Sequence, residues 1–260
     1  MGARVLGAML NMISSGQSTA LPPLLIAHGL YGSARNWGVI AKRLAETRLV
    51  VAVDLRNHGL SDWFQTHTYQ DLAADLADVV RHVGGPMDVL GHSMGGKAAM
   101  VLALQFPDLV NSLIVADIAP VAYTHSQIHY VGAMKAVDLS KVSRRSDAEA
   151  QLGELGVEKA LQSFFTQSLD ATEKRWRLNL DVLADQMPNI MSFPNTSESY
   201  DGPTLFLSGG DSDYVTSDQR PKIKALFPNA RFAKIPGAGH WLHAEKPREF
   251  VDAVRVWLDR

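Results

Sequence analysis

Short apolar runs recur along the chain, each closed by glycine, proline or a polar cluster, and between them lie longer stretches whose apolar residues sit three and four apart. The two spacings predict strands and helices in turn. Residues 24–27, 49–53, 87–90, 113–116, 204–207 and 232–235 read as strands, and their near-continuous apolar character suits a sheet covered on both faces. Residues 37–44 and 220–227 have helical spacing. Thr68 is placed to cap a helix whose apolar face is Leu72, Leu76, Val79, Val80 and Val83, with Gly84 just past its end. Residues 94–106 are apolar nearly all round, as a central helix covered on every side requires, and Pro107 stops them. Pro247 opens a last helix with Phe250, Val254, Trp257 and Leu258 on one face. Residues 1–13 read as an initial strand.

Between 121 and 200 the alternation stops. Ser146 with Glu149 matches a capping box, Leu161, Phe164 and Phe165 give the next helix its apolar face, and 176–183 continue the helical spacing. The prediction is one α/β domain in three pieces: a core over 1–120, a helical cap insertion over 121–200, and the rest of the core over 201–260. Strands alternating with helices through short loops imply a mainly parallel sheet with helices on both faces, and in such sheets the ligand site lies at the carboxyl ends of the strands. His28, Asp54, Ser93, Asp117, Asp213 and His240 all follow predicted strands, so they share one rim.

Ser93 stands at the centre of that rim. It lies in G-H-S-M-G, residues 91–95, where a strand turns straight into a helix. Such a turn strains the apex residue and requires small neighbours two places away, which Gly91 and Gly95 supply, so the stretch matches the nucleophile elbow G-x-S-x-G. A serine hydroxyl attacks only with a base in hydrogen-bond reach and an acid that holds the base in one tautomer. His240, in G-A-G-H-W after the last strand, is the candidate base. Two aspartates fit the chain order Ser, Asp, His: Asp213, in G-D-S-D after the strand that precedes the histidine's strand, is the candidate acid, and Asp117 is the alternative. The backbone N–H groups of Leu30, in H-G-L-Y-G, and Met94 are candidates for an oxyanion hole. Phe164, Phe165, Met187 and Met191 are candidates for an acyl pocket under the cap, and His92 and Trp37 for further substrate contact. The loop D-L-R-N-H-G-L-S, 54–61, reads as a structural corner in which Asp54 and Arg56 pair and His58 has no catalytic part. His243 is expected at the surface or supporting His240.

Composition narrows the partner. The net charge is -2 with no block of Lys or Arg, which removes the electrostatic footprint of a nucleic-acid binder and favours a small molecule. There is no cysteine, so disulfides, thiolate catalysis and cysteine metal sites are excluded. His125 and His129 have helical spacing that a cap face explains, and no histidine has metal-ligand spacing with an acid; no phosphate-cradling or dinucleotide fingerprint is present, so no cofactor is implied. The apolar N-terminal run, broken by Asn11, is too short to span a bilayer. The expected compartment is the cytoplasm, or an organelle if the N-terminus is a trimmed transit segment. Monomer and homodimer are both open.

With these residues in place, the chain resembles the α/β-hydrolase superfamily over nearly its whole length. H-G-L-Y-G-S, D-L-R-N-H-G-L-S, G-H-S-M-G-G-K-A, A-D-I-A-P-V and G-A-G-H-W-L-H-A-E-K-P are similar to the small esterase group of the YbfF and ABHD11 type. The resemblance implies an eight-stranded core, a small helical cap and a serine esterase or thioesterase acting on acyl substrates without cofactor. Several members of the group carry serine where this chain has Asp213 and use the aspartate of A-D-I-A-P-V, which is Asp117 here. The alternatives to a carboxylesterase are another reaction on the same serine, perhydrolysis or C–C hydrolysis, and a non-catalytic binding protein of this fold.

Overall fold

The structure is a computed structural model that describes residues 9–260. The elements follow in order: β1 (Met12–Ser15), β2 (Leu24–Ala27), α1 (Gly38–Leu44), β3 (Val50–Val53), α2 (Tyr69–Val83), β4 (Met87–His92), α3 (Met94–Gln105) and β5 (Val110–Ala116). Then come α4 (Ile128–Ala136), α5 (Arg145–Glu154), α6 (Lys159–Thr166), the short strands β6 (Leu169–Asp170) and β7 (Arg175–Trp176), α7 (Leu180–Asp185) and α8 (Met187–Met191). The chain closes with β8 (Thr204–Gly209), α9 (Arg220–Leu226), β9 (Ala230–Ile235), α10 (Leu242–Glu245) and α11 (Pro247–Leu258).

The main sheet has seven strands among the described residues, in the order β1-β3-β2-β4-β5-β8-β9, where eight were implied. Every pair is parallel except β1 with β3, whose register sets Met12 opposite Val53. That antiparallel strand is itself the sheet edge, with no strand outside it among the described residues. The N-terminal strand begins at Met12, and the part of it expected over 1–8 lies outside the described residues.

Period two sorts each central strand between two cores. In β2, Leu25 and Ala27 join the face covered by α2 and α3, while Leu24 and Ile26 join the face covered by α1 and α11, with Ile40, Leu44, Phe250 and Val254. Helix α2 starts where Thr68 Oγ1 accepts from Asp71 N (3.2 Å) and ends at left-handed Gly84 (φ 107°). Every residue of α3 from Met94 to Leu104 is buried, as its all-round apolar sequence requires.

The chain between β5 and β8 crosses the carboxyl ends of the strands. Two local expectations differ there. Helix α5 starts before Ser146: Asp147 Oδ2 accepts from Ser143 N (2.9 Å) and Arg144 N (3.0 Å), so the aspartate reaches back over the open end and Ser146 lies inside the helix. Residues 175–176 are strand, not helix, because the chain folds back at 170–175 to pair Trp176 with Leu169. The insertion is tied down at several points: Tyr31 Oη donates to Gln127 O (2.9 Å), Gly59 N to Arg177 O (2.8 Å), and Lys97 Nζ to Met191 O (3.1 Å) and Ser192 O (2.6 Å).

Candidate active site

Ser93 joins β4 to α3 with φ 53° and ψ -120°, a conformation that non-glycine residues adopt only under constraint. The constraint is close packing of the turn. A Cβ on Gly91 would collide with the carbonyl of Gly95, and one on Gly95 with the carbonyls of Ala27 and His28, so α3 could not approach the sheet. Ser93 N–H donates to Ala116 O (3.0 Å), which holds the apex over the end of β5.

His240 reaches the serine from the loop after β9. Its Nε2 lies 3.1 Å from Ser93 Oγ and its Nδ1 2.8 Å from Asp117 Oδ2. With the proton on Nδ1 donated to the carboxylate, Nε2 is left as the acceptor of the serine hydroxyl. Tyr214 stacks on the imidazole, with ring centroids 3.9 Å apart, and His92 Nε2 donates to His240 O (2.8 Å).

The carboxylate at His240 belongs to Asp117, the alternative, and not to Asp213, preferred for its place after the strand before the histidine's. Asp117 ends β5 in a left-handed turn (φ 51°) that swings its wholly buried side chain across the end of β8. It accepts there from Gly209 N (3.0 Å) and Ser212 Oγ (2.5 Å) as well as from His240. The loop after β8 thus meets the acid with a donor, and Asp213, one residue beyond Ser212, points to an exposed position. Sequence reasoning does not find Ser212. A hydroxyl between two aspartates could have marked it, since a buried carboxylate needs donors beyond one imidazole.

Leu30 and Met94 flank Ser93, and neither backbone N–H meets an acceptor among the described residues. Leu30 and Tyr31 are the central residues of the turn closed by Gly32 N to Gly29 O (3.0 Å), and Tyr31 also has a left-handed backbone (φ 64°).

A cavity of about 320 Å³ opens onto Ser93 and His240. Trp37, Tyr130, Phe164, Phe165, Tyr214 and Trp241 supply much of its wall, and no Lys, Arg, Asp or Glu lines it. His92 also lines it, with its Nε2 engaged by the His240 loop. Met187 does not line it. It is buried in the packing between insertion and core and fronts a separate depression with Met191, which also lines a small recess beside Ser93 and Met94.

Two further expectations change. Arg56 pairs not with Asp54 but with Asp75, through Nε (2.6 Å) and Nη2 (2.8 Å), in the forked geometry a guanidinium favours. Asp54 is taken by three other donors: Ala34 N (2.8 Å), Asn11 Nδ2 (2.8 Å) and Leu60 N (2.9 Å). His243 is buried and stacks on Trp37 at 4.2 Å, and burial pushes its pKa down to about 3. Burial likewise holds His92 well below the usual histidine value, so both rings beside the catalytic loop are neutral. No cluster of His, Cys, Asp or Glu that could hold a metal ion occurs among the described residues, and no helix there is long and apolar enough to cross a membrane.

A family model described as the alpha/beta hydrolase family matches residues 24–253, in keeping with the sheet order and the serine elbow. The chain belongs to this family and is, by class, a serine ester hydrolase. It is 42% identical over 249 residues to the Mus musculus sn-1-specific diacylglycerol lipase ABHD11, covering 92% of this chain and 81% of that protein. Esterase YbfF of Escherichia coli (strain K12) is 38% identical over 241 residues, covering 91% and 93%. Among solved structures, one titled marine microorganism esterase is 37% identical and superposes with a TM-score of 0.91 over 96% of this chain and 100% of that one.

Proposed function

We propose that the chain hydrolyses carboxylic esters and thioesters through an acyl-enzyme on Ser93, with His240 as general base and acid and Asp117 as the acid that orients it. The observation that carries this reading is the continuous relay from Ser93 Oγ to His240 Nε2 (3.1 Å) and from His240 Nδ1 to Asp117 Oδ2 (2.8 Å). Ser93 Oγ attacks the acyl carbon as its proton passes to Nε2, and the imidazolium that forms is stabilised by the buried carboxylate. The oxyanion is received by the N–H groups of Leu30 and Met94, which meet no other acceptor among the described residues. Collapse releases the alcohol or thiol, which takes the proton from Nε2. A water then adds to the acyl group as it gives a proton to the same nitrogen, and the bond to Ser93 Oγ breaks as Oγ takes that proton, leaving a carboxylic acid and free Ser93.

The insertion over 121–200 acts as the cap of the substrate site. The cavity holds roughly ten water-sized volumes of about 30 Å³ each, near the small end of ligand sites, so it takes a group of about ten non-hydrogen atoms. With no charged side chain in the wall, that group is uncharged. Purified protein should be labelled at Ser93 by a fluorophosphonate and should turn over acyl esters graded by chain length. Unlabelled, inactive protein would leave a binding function in its place. Ser93→Ala should keep the fold and lose turnover, and near-wild-type hydrolysis by that variant would remove the serine mechanism.

A further inference from the structure

The loop 54–61 supplies no group to the chemistry above, yet its His58 is wholly buried and faces the loop that carries Leu30. His58 and His28 tie the two loops together in reciprocal fashion. Leu55 N–H donates to His28 Nε2 (3.0 Å), and Tyr31 N–H donates to His58 Nε2 (3.2 Å). In each ring Nδ1 lies against a backbone carbonyl, Gly29 O (2.7 Å) for His28 and Arg56 O (2.9 Å) for His58. That contact fixes the proton on Nδ1 and leaves Nε2 with the lone pair its partner needs. Burial lowers the pKa of both histidines, which preserves the lone pair.

The residue held this way is strained. Tyr31 has φ 64°, so its conformation persists only because its surroundings impose it, and it directly follows Leu30. Through His67 the same loop reaches the side chain of the other oxyanion residue: Asn57 Nδ2 lies 3.3 Å from His67 Nδ1, and His67 Nε2 lies 3.3 Å from Met94 Sδ. On its outer side the loop is strapped to the insertion by Gly59 N to Arg177 O (2.8 Å), Asn179 N to Asn57 O (3.0 Å) and Asn179 Nδ2 to Asn57 Oδ1 (3.0 Å).

We infer that His58 is a positioning residue for the oxyanion site: by accepting the Tyr31 N–H it locks the strained residue beside Leu30, so that the Leu30 N–H stays aimed at the substrate carbonyl oxygen. This inference rests on the Ser93 acyl-enzyme reading. Through the strap at 177–179, the seated insertion and the oxyanion site share one support.

Two substitutions separate the two hydrogen bonds of the ring. In His58→Gln the amide oxygen reaches the place of Nε2 and can accept from Tyr31 N–H. In His58→Asn the amide reaches only the place of Nδ1 and can donate to Arg56 O, which keeps the loop corner but abandons Tyr31. The experiment measures kcat and KM with a short-chain acyl ester, per site titrated to completion with a fluorophosphonate, beside the melting temperature of each variant. The expected result is kcat within about threefold of wild type for His58→Gln and a fall on the order of 10²-fold for His58→Asn, with KM little changed, as for loss of an oxyanion donor. Equal kcat in the two variants, or a higher kcat for His58→Asn, overturns the inference whatever the melting temperatures. Wild-type protein that neither labels nor turns over overturns the Ser93 reading and this one with it. When wild-type protein does both, equal kcat in the variants overturns the role of His58 alone.

Discussion

Ser212 Oγ and His240 Nδ1 meet on the same carboxylate oxygen, Asp117 Oδ2, at 2.5 Å and 2.8 Å. The loop that could have supplied the acid supplies a hydroxyl to it instead. Asp117→Asn should therefore lower kcat by about 10³- to 10⁴-fold, since a carboxamide can hold the imidazole in the wrong tautomer. Asp213→Asn, at an exposed position, should leave kcat within about twofold. Steady-state kinetics on both folded variants decides this, and the reverse ranking would move the acid to Asp213.

Ser212→Ala should cost less than Asp117→Asn because Gly209 N–H and His240 still serve the carboxylate. A hydrogen bond to a charged group contributes about 1.5–3 kcal/mol, so a loss of roughly ten- to a hundredfold in kcat is the ceiling if all of it acts on the transition state. A loss as large as that of Asp117→Asn would mean that Ser212 holds the acid in place.

Acid should unfold the protein through its buried histidines. Burial pushes His67 and His243 down to about 3, and also lowers His28, His58 and His92. The unfolded chain protonates these rings near pH 6.5 while the folded one does not, so their contribution is complete above that pH. It is lost as pH falls from about 6.5 towards 3, at about 1.4 kcal/mol per pH unit for each ring. Urea midpoints should fall steeply between pH 6.5 and 5, and His243→Gln should flatten that slope. An unchanged midpoint over this range would mean that the rings are already protonated in the fold.

Lys97 adds a slope of the same sign at higher pH. Its ammonium is buried against the Tyr123 ring (4.8 Å) and the two carbonyls at the end of α8, and burial pushes its pKa down to about 7. Between that value and the unfolded one of about 10.4 the unfolded chain binds the extra proton, so stability from this residue rises with pH. Lys97→Met should remove the rise, as read from urea unfolding at pH 7 and 9. A slope identical to wild type would place the titration elsewhere.

Phe164 is half-buried and Phe165 wholly so, yet both line the cavity. Phe164→Ala should widen the site at little cost and shift preference to longer acyl chains. Phe165→Ala should lose about 3–5 kcal/mol of stability, because its ring also packs against Tyr31 (5.4 Å) and Tyr130 (5.1 Å). An unchanged chain-length profile in Phe164→Ala would leave that residue to packing alone.

The strands and the serine turn were legible because each obeys a short-range rule. Central strands buried on both faces are apolar without interruption, and the turn needs glycine at 91 and 95 whatever else the protein does. The acid was not legible from its own strand. Whether Asp117 or Asp213 meets His240 depends on the positive φ of Asp117 and on which residue of G-D-S-D faces inward, and neither leaves a periodic trace. The pairing of Leu169 with Trp176 is too short to show period two, so Trp176 reads as helix. His58 reads as a loop residue because its burial comes from contacts at 27 and more residues' separation, with Tyr31 and with the insertion.

The insertion leaves the sheet at the end of β5 and returns at the start of β8, and the two strands pair directly from Leu113 with Thr204 onward. Asp117, on the outgoing side, is clasped by Gly209 and Ser212 on the incoming side, across 92 and 95 residues of chain. The carboxylate that meets His240 therefore sits at the neck of the insertion, held by the framework on both banks. Since doubling the length of a closed loop costs only about 0.6 kcal/mol, the segment beyond that neck can be lengthened, shortened or exchanged with little strain on the acid. On the proposed reading, substrate choice and catalytic competence are separable inheritances: a grafted cap would bring its own specificity to an intact serine, histidine and aspartate.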